Sequence, residues 1–241
     1  MLFWWGIVLS ACVTIIGALP VIWLRHLSHR GKDIVLAFTA GIMVAASTYG
    51  LIPAALQLSN LYVLVIGILF GTIVLMILEV IVPHHDLEHT SPPREDVRIL
   101  LFLVAMSLHN VPEGLSVGMS YASTYQDLGP MVAFAIGLQN IPEGFLVALF
   151  LIMQKVSKGT VFFYTAFTAF IELCASMVGV LFGGMISDVV PYGLAFSAGA
   201  MLFIVYKELI PESHGDGNER MATFSFIMGF VVMVVLTNLL R

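Results

Sequence analysis

His109-Asn110-Val111-Pro112-Glu113-Gly114 is repeated thirty residues later, almost letter for letter, as Gln139-Asn140-Ile141-Pro142-Glu143-Gly144, and apolar sequence flanks each copy on both sides. Two carboxylates therefore stand where lipid would exclude them. At the centre of a bilayer such a group costs about 3 kcal/mol or more, so an ionisable residue there marks a functional site and needs a partner. The partner that suits these side chains is a metal ion.

The flanking sequence is the rest of the chain in miniature. Hydrophobic residues make up 59% of the 241 positions and charged residues only 10%; with a mean hydropathy of +1.00, this is a membrane composition, since soluble domains are about a quarter charged. Crossing the hydrocarbon core takes about 20 apolar residues. Eight stretches qualify: Leu2 to Leu24, Ile34 to Leu58, Leu61 to Val82, Val97 to Tyr121, Met131 to Gln154, Thr160 to Ser187, Val190 to Ile210 and Met221 to Leu240. The expected fold is an all-α bundle of eight transmembrane helices forming a single domain over residues 1–241, with one longer polar loop at about 83–96. The first stretch has no preceding basic residue and too long an apolar run for a signal peptide, and is expected to be retained.

Basic residues set the orientation. Arg25, Arg30 and Lys32 follow span one, Arg94 and Arg98 lie near the loop before span four, Lys155 and Lys158 follow span five, and Lys207 and Arg220 bracket the link from span seven to span eight. The loops after spans two, four and six carry none. By the positive-inside rule the charged links face the cytoplasm and both termini lie outside, which an even number of spans requires. The basic residues are scattered anchors, so nothing suggests nucleic acid as a partner. Cys12 and Cys174, in different spans and without motif spacing, read as packing residues rather than a disulfide.

Residues four apart share a helix face, so His109 with Glu113 and Gln139 with Glu143 form two ligand pairs, one per helix. Both lie near mid-span, and antiparallel helices bring their midpoints to the same depth. Glu172, near the middle of span six, adds a third carboxylate. Left ionised and unpaired, three carboxylates would cost on the order of 8 kcal/mol by adding the insertion penalty, which argues against the repeat as a mere packing device. Pro112 and Pro142 lack an amide hydrogen and are expected to kink spans four and five, releasing the carbonyls of Leu108 and Leu138. Freed carbonyls at membrane depth are tolerable only against protein or a watered cavity, and interrupted helices at mid-bilayer recur in transporters. Imidazole with carboxylate suits zinc, iron or manganese better than magnesium or calcium. Zinc usually takes four ligands, which His109, Glu113, Gln139 and Glu143 would supply. Asn110, Asn140 and Glu172 remain, either as supporting partners or as part of a second site in which the glutamates bridge two ions.

These motifs resemble those of the ZIP (Zrt-/Irt-like protein) family, eight-span divalent metal transporters with His-Asn-x-Pro-Glu-Gly in the fourth helix and a related copy in the fifth. Gln139 stands where many members have His. The resemblance extends to Ala40-Gly41-Ile42-Met43 in span two and to Ser197-Ala198-Gly199-Ala200-Met201 leading to Glu208, Pro211 and Glu212 in span seven. It implies a central site of His109, Glu113, Gln139 and Glu143, with an adjacent one of Asn110, Asn140 and Glu172 sharing Glu113 and Glu143. It further implies movement of divalent metal (zinc foremost, with iron, manganese and cadmium as alternatives) toward the cytoplasm, as cargo rather than cofactor. Spans one, four, five and six would move as a unit against spans two, three, seven and eight. The expected setting is the plasma membrane, with the lipid bilayer, metal ions and a second copy in a homodimer as partners.

Two outlying groups are candidates as well. His84, His85 and His89 in the polar loop could receive or sense cytosolic metal, or be a solvated tract. Lys207, Glu208, Glu212 and His214 cluster near the inner end of span seven and could relay an ion outward from the site, although a carboxylate there can equally pair with Lys207. Asp127 and Asp188, in expected outer loops, could attract cations. Rival functions lack their signatures: there is no His-Glu-x-x-His string for an intramembrane metalloprotease and no nucleotide-binding glycine loop for a pump. A sensor or structural metal protein would need no path across the membrane. Tight multidentate coordination favours a carrier over a channel, whose sites must release ions quickly.

Overall fold

The computed structural model describes residues 2–22, 27–81, 95–215 and 217–239. His84, His85 and His89 lie outside the described residues. Among the described residues, eight helices are long and apolar enough to cross a membrane: Trp4–Val21, His29–Leu58, Leu61–Ile81, Asp96–Tyr121, Leu128–Met153, Lys158–Met185, Ser187–His214 and Glu219–Leu239. They are spans one to eight in chain order. Helix is the expected solution, because lipid offers no hydrogen-bond partners and each segment must satisfy its own backbone. Local chemistry marks the starts. Ser28 and Ser157 cap spans two and six, accepting from the amides of Gly31 at 3.1 Å and Thr160 at 3.3 Å, and Asn60 accepts from the amides of Tyr62 and Val63 ahead of span three. Each replaces an intrahelical partner that a first turn lacks.

Spans four and five run helically through Pro112 and Pro142. Neither proline ends its helix, although each still leaves the carbonyl four residues earlier without its donor. The interruptions fall instead in spans two and seven. There the helix widens to a π-helical segment, at Ala46–Leu51 and again at Val205–Leu209. Each is followed directly by an Ile-Pro pair, Ile52-Pro53 and Ile210-Pro211, which opens a short helix of ordinary pitch. Proline cannot donate and crowds the preceding turn, so a local widening just upstream accommodates it. Such bulges tend to occur at functional sites, and Glu208 sits within the second one.

Taken as spans one, four, five and six and spans two, three, seven and eight, the helices form two sets whose principal pairs are internal, although span four also packs on span seven. Span one packs mainly on five and four on six; span two packs mainly on eight and three on seven. Glycines show how close these pairs approach. A Cβ on Gly114 would strike the carbonyl oxygen of Glu172, one on Gly118 that of Ser176, one on Gly17 that of Ile141 and one on Gly144 that of Thr14, all within spans one, four, five and six. In the second set, Gly41 and Gly229 lie against the carbonyls of Phe226 and Phe38, and Gly71 and Gly199 against those of Phe196 and Ile68. Where the sets meet, Gly193 faces the Met119 side chain; Gly183, whose nearest neighbour is the Cβ of Ala122 in its own set, also reaches a methyl of Val190. Small residues let backbones touch; here they lock helices within each set, while side chains fill the seam between sets.

Met43, Leu51, Met119, Ile136, Leu194 and Met201 are buried along that seam. Met43 and Met201 are thus packing residues, and the buried Ser47 hydroxyl donates to the carbonyl of Met43. A second apolar cluster, including Ala18, Leu103, Val147, Leu151 and Val161, seals the ends of spans one, four, five and six near Lys155 and Lys158. One expectation is corrected: Cys12 and Cys174 are free, but their side chains are exposed on the bundle's surface rather than packed inside it. A thiol is small and apolar enough for a lipid-facing position.

Candidate metal site

Both motif copies point inward. Glu113, Gln139 and Glu172 have no solvent exposure, Asn110 and Asn140 are 1% exposed, Glu143 5% and His109 6%. All seven residues singled out from the sequence therefore lie in the interior of the bundle, on spans four, five and six.

The contacts among them are specific. Asn110 donates its side-chain amide to the carbonyl of Thr168 in span six, at 2.9 Å. Asn140 donates to the carbonyl of Ser10 in span one and to Glu172 Oε2, both at 2.9 Å. Gln139 Nε2 donates to Glu113 Oε1. Glu113 has Glu143 and Glu172 as its charged neighbours, and Glu143 faces both Glu113 and His109. His109 Nε2 makes a 3.0 Å contact to Glu208 Oε2 in span seven. Among the described residues, the Lys ion pairs go to Glu212 and Glu79, and none goes to Glu113, Glu143 or Glu172.

Among the described residues, and with the glutamates ionised, seven buried oxygens of this site lack a hydrogen-bond donor: Asn110 Oδ1, Glu113 Oε2, Gln139 Oε1, Asn140 Oδ1, both carboxylate oxygens of Glu143, and Glu172 Oε1. Every one is an acceptor in the amide or carboxylate state. Buried acceptors are almost always satisfied, and so many together, drawn from six residues on three helices, form a region of concentrated negative potential. A cation satisfies such a set and an additional donor-poor side chain does not. The chemistry of oxygens with one imidazole fits a first-row transition metal. Among the described residues, however, no three His, Cys, Asp or Glu side chains stand close enough together to grip one ion. Gln139 Nε2 engages one oxygen of Glu113, and Glu208 engages Nε2 of His109. Gln139 Oε1 and Glu113 Oε2 are open to a cation with their mutual bond intact, whereas coordination through His109 Nε2 would require Glu208 to be exchanged for the metal.

The other candidates are dispersed. Of the cluster at the end of span seven, Glu208 reaches the central site, whereas Glu212 pairs with Lys32 at 2.6 Å and Lys207 with Glu79 at 3.4 Å. His214 Nδ1 lies 2.9 Å from the carbonyl of Ile210 in its own helix. Asp188 lines a cavity of about 360 Å³ together with Ser59, Ser123, Thr124, Ser187 and Tyr192. It lies at the ends of spans two, four and six, the expected outer side, and touches both helix sets; Asp127 is not among its lining residues.

Sequence reasoning overlooked span one. Ser10 and Thr14, four apart and so on one helix face, are both buried. Ser10 supplies the carbonyl that holds Asn140, and the Thr14 hydroxyl is itself unpartnered. A polar pair four apart in an otherwise apolar helix was the available signal. Asp33 was also overlooked: it is 1% exposed, with Oδ2 accepting from Asn218 at 2.9 Å.

Comparison with known proteins points the same way. A family model described as "ZIP Zinc transporter" matches residues 82–237. The chain is 36% identical over 243 residues to "Zinc transporter GufA" of Myxococcus xanthus, covering 95% of this chain and 94% of that one. It is 33% identical over 239 residues to "Zinc transporter ZIPB" of Bordetella bronchiseptica, covering 94% and 77%. To "Zinc transporter ZupT" of Streptococcus mutans it is 27% identical over 246 residues, covering 94% and 93%.

Proposed function

This chain belongs to the ZIP family of zinc transporters, and from that premise we propose that it carries divalent transition-metal ions, zinc foremost, toward the cytoplasm through a site on spans four, five and six. Iron, manganese and cadmium are the alternative cargoes. The observation that carries this reading is the set of seven buried oxygens on spans four, five and six that lack a donor among the described residues. In this reading His109, Glu113, Gln139 and Glu143 form the primary ligand set, and Asn110, Asn140 and Glu172 extend it toward span one, with Glu113 and Glu143 shared between two ions. Glu and His must be deprotonated to bind, so loading releases protons.

Movement follows alternating access. Backbone-to-backbone glycine contacts within each set, and a seam of side chains between them, support spans one, four, five and six shifting as one body against spans two, three, seven and eight. The cavity of about 360 Å³ is the approach from outside, and the basic links of the chain face the cytoplasm, leaving both termini outside. The whole chain works as one transmembrane domain in the plasma membrane.

The test is uptake of zinc into proteoliposomes against a panel of cadmium, iron, manganese and magnesium, with Glu113→Ala and Glu143→Ala in parallel. Saturable zinc flux, lost in either variant and indifferent to magnesium, is the expected result. Zinc binding without flux under any gradient would replace the carrier with a sensor or structural metal protein.

A further inference from the structure

All but one of the described side-chain hydrogen bonds and ion pairs between helices stay within one of the two sets. Asn110 to Thr168, Gln139 to Glu113, and Asn140 to Ser10 and Glu172 stay within spans one, four, five and six. Lys32 to Glu212, Lys207 to Glu79, Ser225 to the carbonyl of Ile34, Thr72 to the carbonyl of Gly199, and Asn218 to Asp33 stay within spans two, three, seven and eight or the link between the last two. Among these described contacts one joins the sets, His109 Nε2 to Glu208 Oε2 at 3.0 Å, and it is buried, with the side chains 8% and 13% exposed.

That contact takes up a nitrogen the cargo needs. The other primary ligands, Glu113, Gln139 and Glu143, all belong to the first set, so an ion bound there would travel with that set. Glu208 belongs to the second. A nitrogen cannot direct a hydrogen at a carboxylate and a lone pair at a metal at the same time. Burial makes the tie matter: a charge-assisted bond away from water is among the stronger side-chain interactions, and none of the other contacts named above joins the two sets. The π-helical segment Val205–Leu209 puts Glu208 at this position, next to the proline that forces the helix to widen.

Building on the carrier reading above, we propose that Glu208 is a latch: it holds His109 and thereby ties the two helix sets together until the incoming cation takes the same nitrogen and frees them to move. Glu208 is then a competitor of the cargo rather than one of its ligands. The opposite geometry is also well defined. If His109 bound metal through Nδ1, a carboxylate on Nε2 would orient the ring and strengthen the site, as carboxylates behind metal-bound histidines do. The two cases differ in sign.

The experiment combines two readouts on the full-length protein in detergent. Equilibrium zinc titration of wild type, Glu208→Ala and the near-isosteric Glu208→Gln measures the competition. Removing the competitor should tighten binding about tenfold in Glu208→Ala, the equivalent of one charge-assisted hydrogen bond, and less in Glu208→Gln, which keeps a weaker acceptor. Spin labels at Tyr125→Cys and Tyr62→Cys, one on each set, in a Cys12→Ser, Cys174→Ser background, measure the tie. Both variants should show, without metal, the altered or broadened distance distribution that wild type shows only with zinc. Zinc affinity that is unchanged or weakened by Glu208→Ala, or metal-free distances identical to wild type, would overturn the latch. Failure of the carrier reading looks different: wild type would bind no zinc, or Glu113→Ala would bind it as well as wild type does.

Discussion

Replacing Gly118 or Gly41 by alanine tests the division into two helix sets without touching the site. A Cβ on Gly118 would meet the carbonyl oxygen of Ser176 and, at 2.9 Å, the Cα of Gly179; on Gly41 it would meet the carbonyl of Phe226 and, at 2.8 Å, the amide nitrogen of Phe230. These obstacles are backbone, which cannot rotate aside, so the cost belongs at the upper end of overpacking, about 3 kcal/mol. Alanine's better helix propensity returns about 1 kcal/mol. The net loss of about 2 kcal/mol corresponds to a fall of roughly 4–8 °C in apparent melting temperature for a chain of this size. Gly50 and Gly184 have nothing within 4 Å of where a Cβ would stand and serve as controls, unchanged or slightly stabilised. Gly193→Ala, across the seam, meets only the Met119 side chain at 2.8–3.1 Å, which is flexible enough to give way, and should lose less than Gly118→Ala. Thermal unfolding of the five variants in one detergent decides it. Equal losses at Gly118, Gly193 and Gly184 would show that backbone contact does not distinguish the interior of a set from the seam.

Three further outcomes follow from named contacts. Asn140→Ala removes the donor shared by Ser10 and Glu172; zinc affinity by calorimetry should fall about 10- to 100-fold with the fold retained, as for other partners that orient ligands, and an unchanged affinity would detach Glu172 from the site. Asn218→Ala leaves the buried carboxylate of Asp33 without its donor, which should cost about 1–3 kcal/mol, whereas Lys32→Ala breaks a half-exposed pair with Glu212 and should cost under about 1 kcal/mol; comparable melting shifts would contradict this ranking. Initial zinc uptake should fall as the loading side is acidified, because protonated carboxylate and imidazole do not coordinate metal; rates that hold steady between neutral and mildly acid pH would argue against His109 and the glutamates as ligands.

Hydropathy alone recovers the eight spans to within a few residues at most ends, because the bilayer imposes both length and composition. Span two is the main exception: it begins at His29 rather than near Ile34, since Ser28 caps a polar first turn that hydropathy cannot register. That the seven candidate residues would lie in the bundle interior was also legible, because the cost of placing a repeated string of ionisable groups in apolar surroundings is hard to reconcile with packing alone. What the string could not convey is partnership across helices. Glu208 lies 99 positions from His109, and its reach depends on a π-helical widening, a change of hydrogen-bond register that leaves no compositional trace beyond the Ile-Pro pairs downstream. Ser10 and Thr14 escaped notice for a related reason: small hydroxyls are common in membrane helices, where they usually bond their own preceding turn, as Ser10 does to the carbonyl of Ile7. Its carbonyl, not its hydroxyl, holds Asn140.

The most direct measurement of the central claim is X-ray absorption at the zinc edge on the loaded protein, wild type beside His109→Ala. Coordination by His109, Glu113, Gln139 and Glu143 predicts a first shell of oxygen and nitrogen at about 2.0–2.2 Å, no sulfur, and one imidazole scattering signature that disappears in the variant. An unchanged imidazole signal in His109→Ala, or a shell containing sulfur from Cys12 or Cys174, would place the metal elsewhere in the molecule.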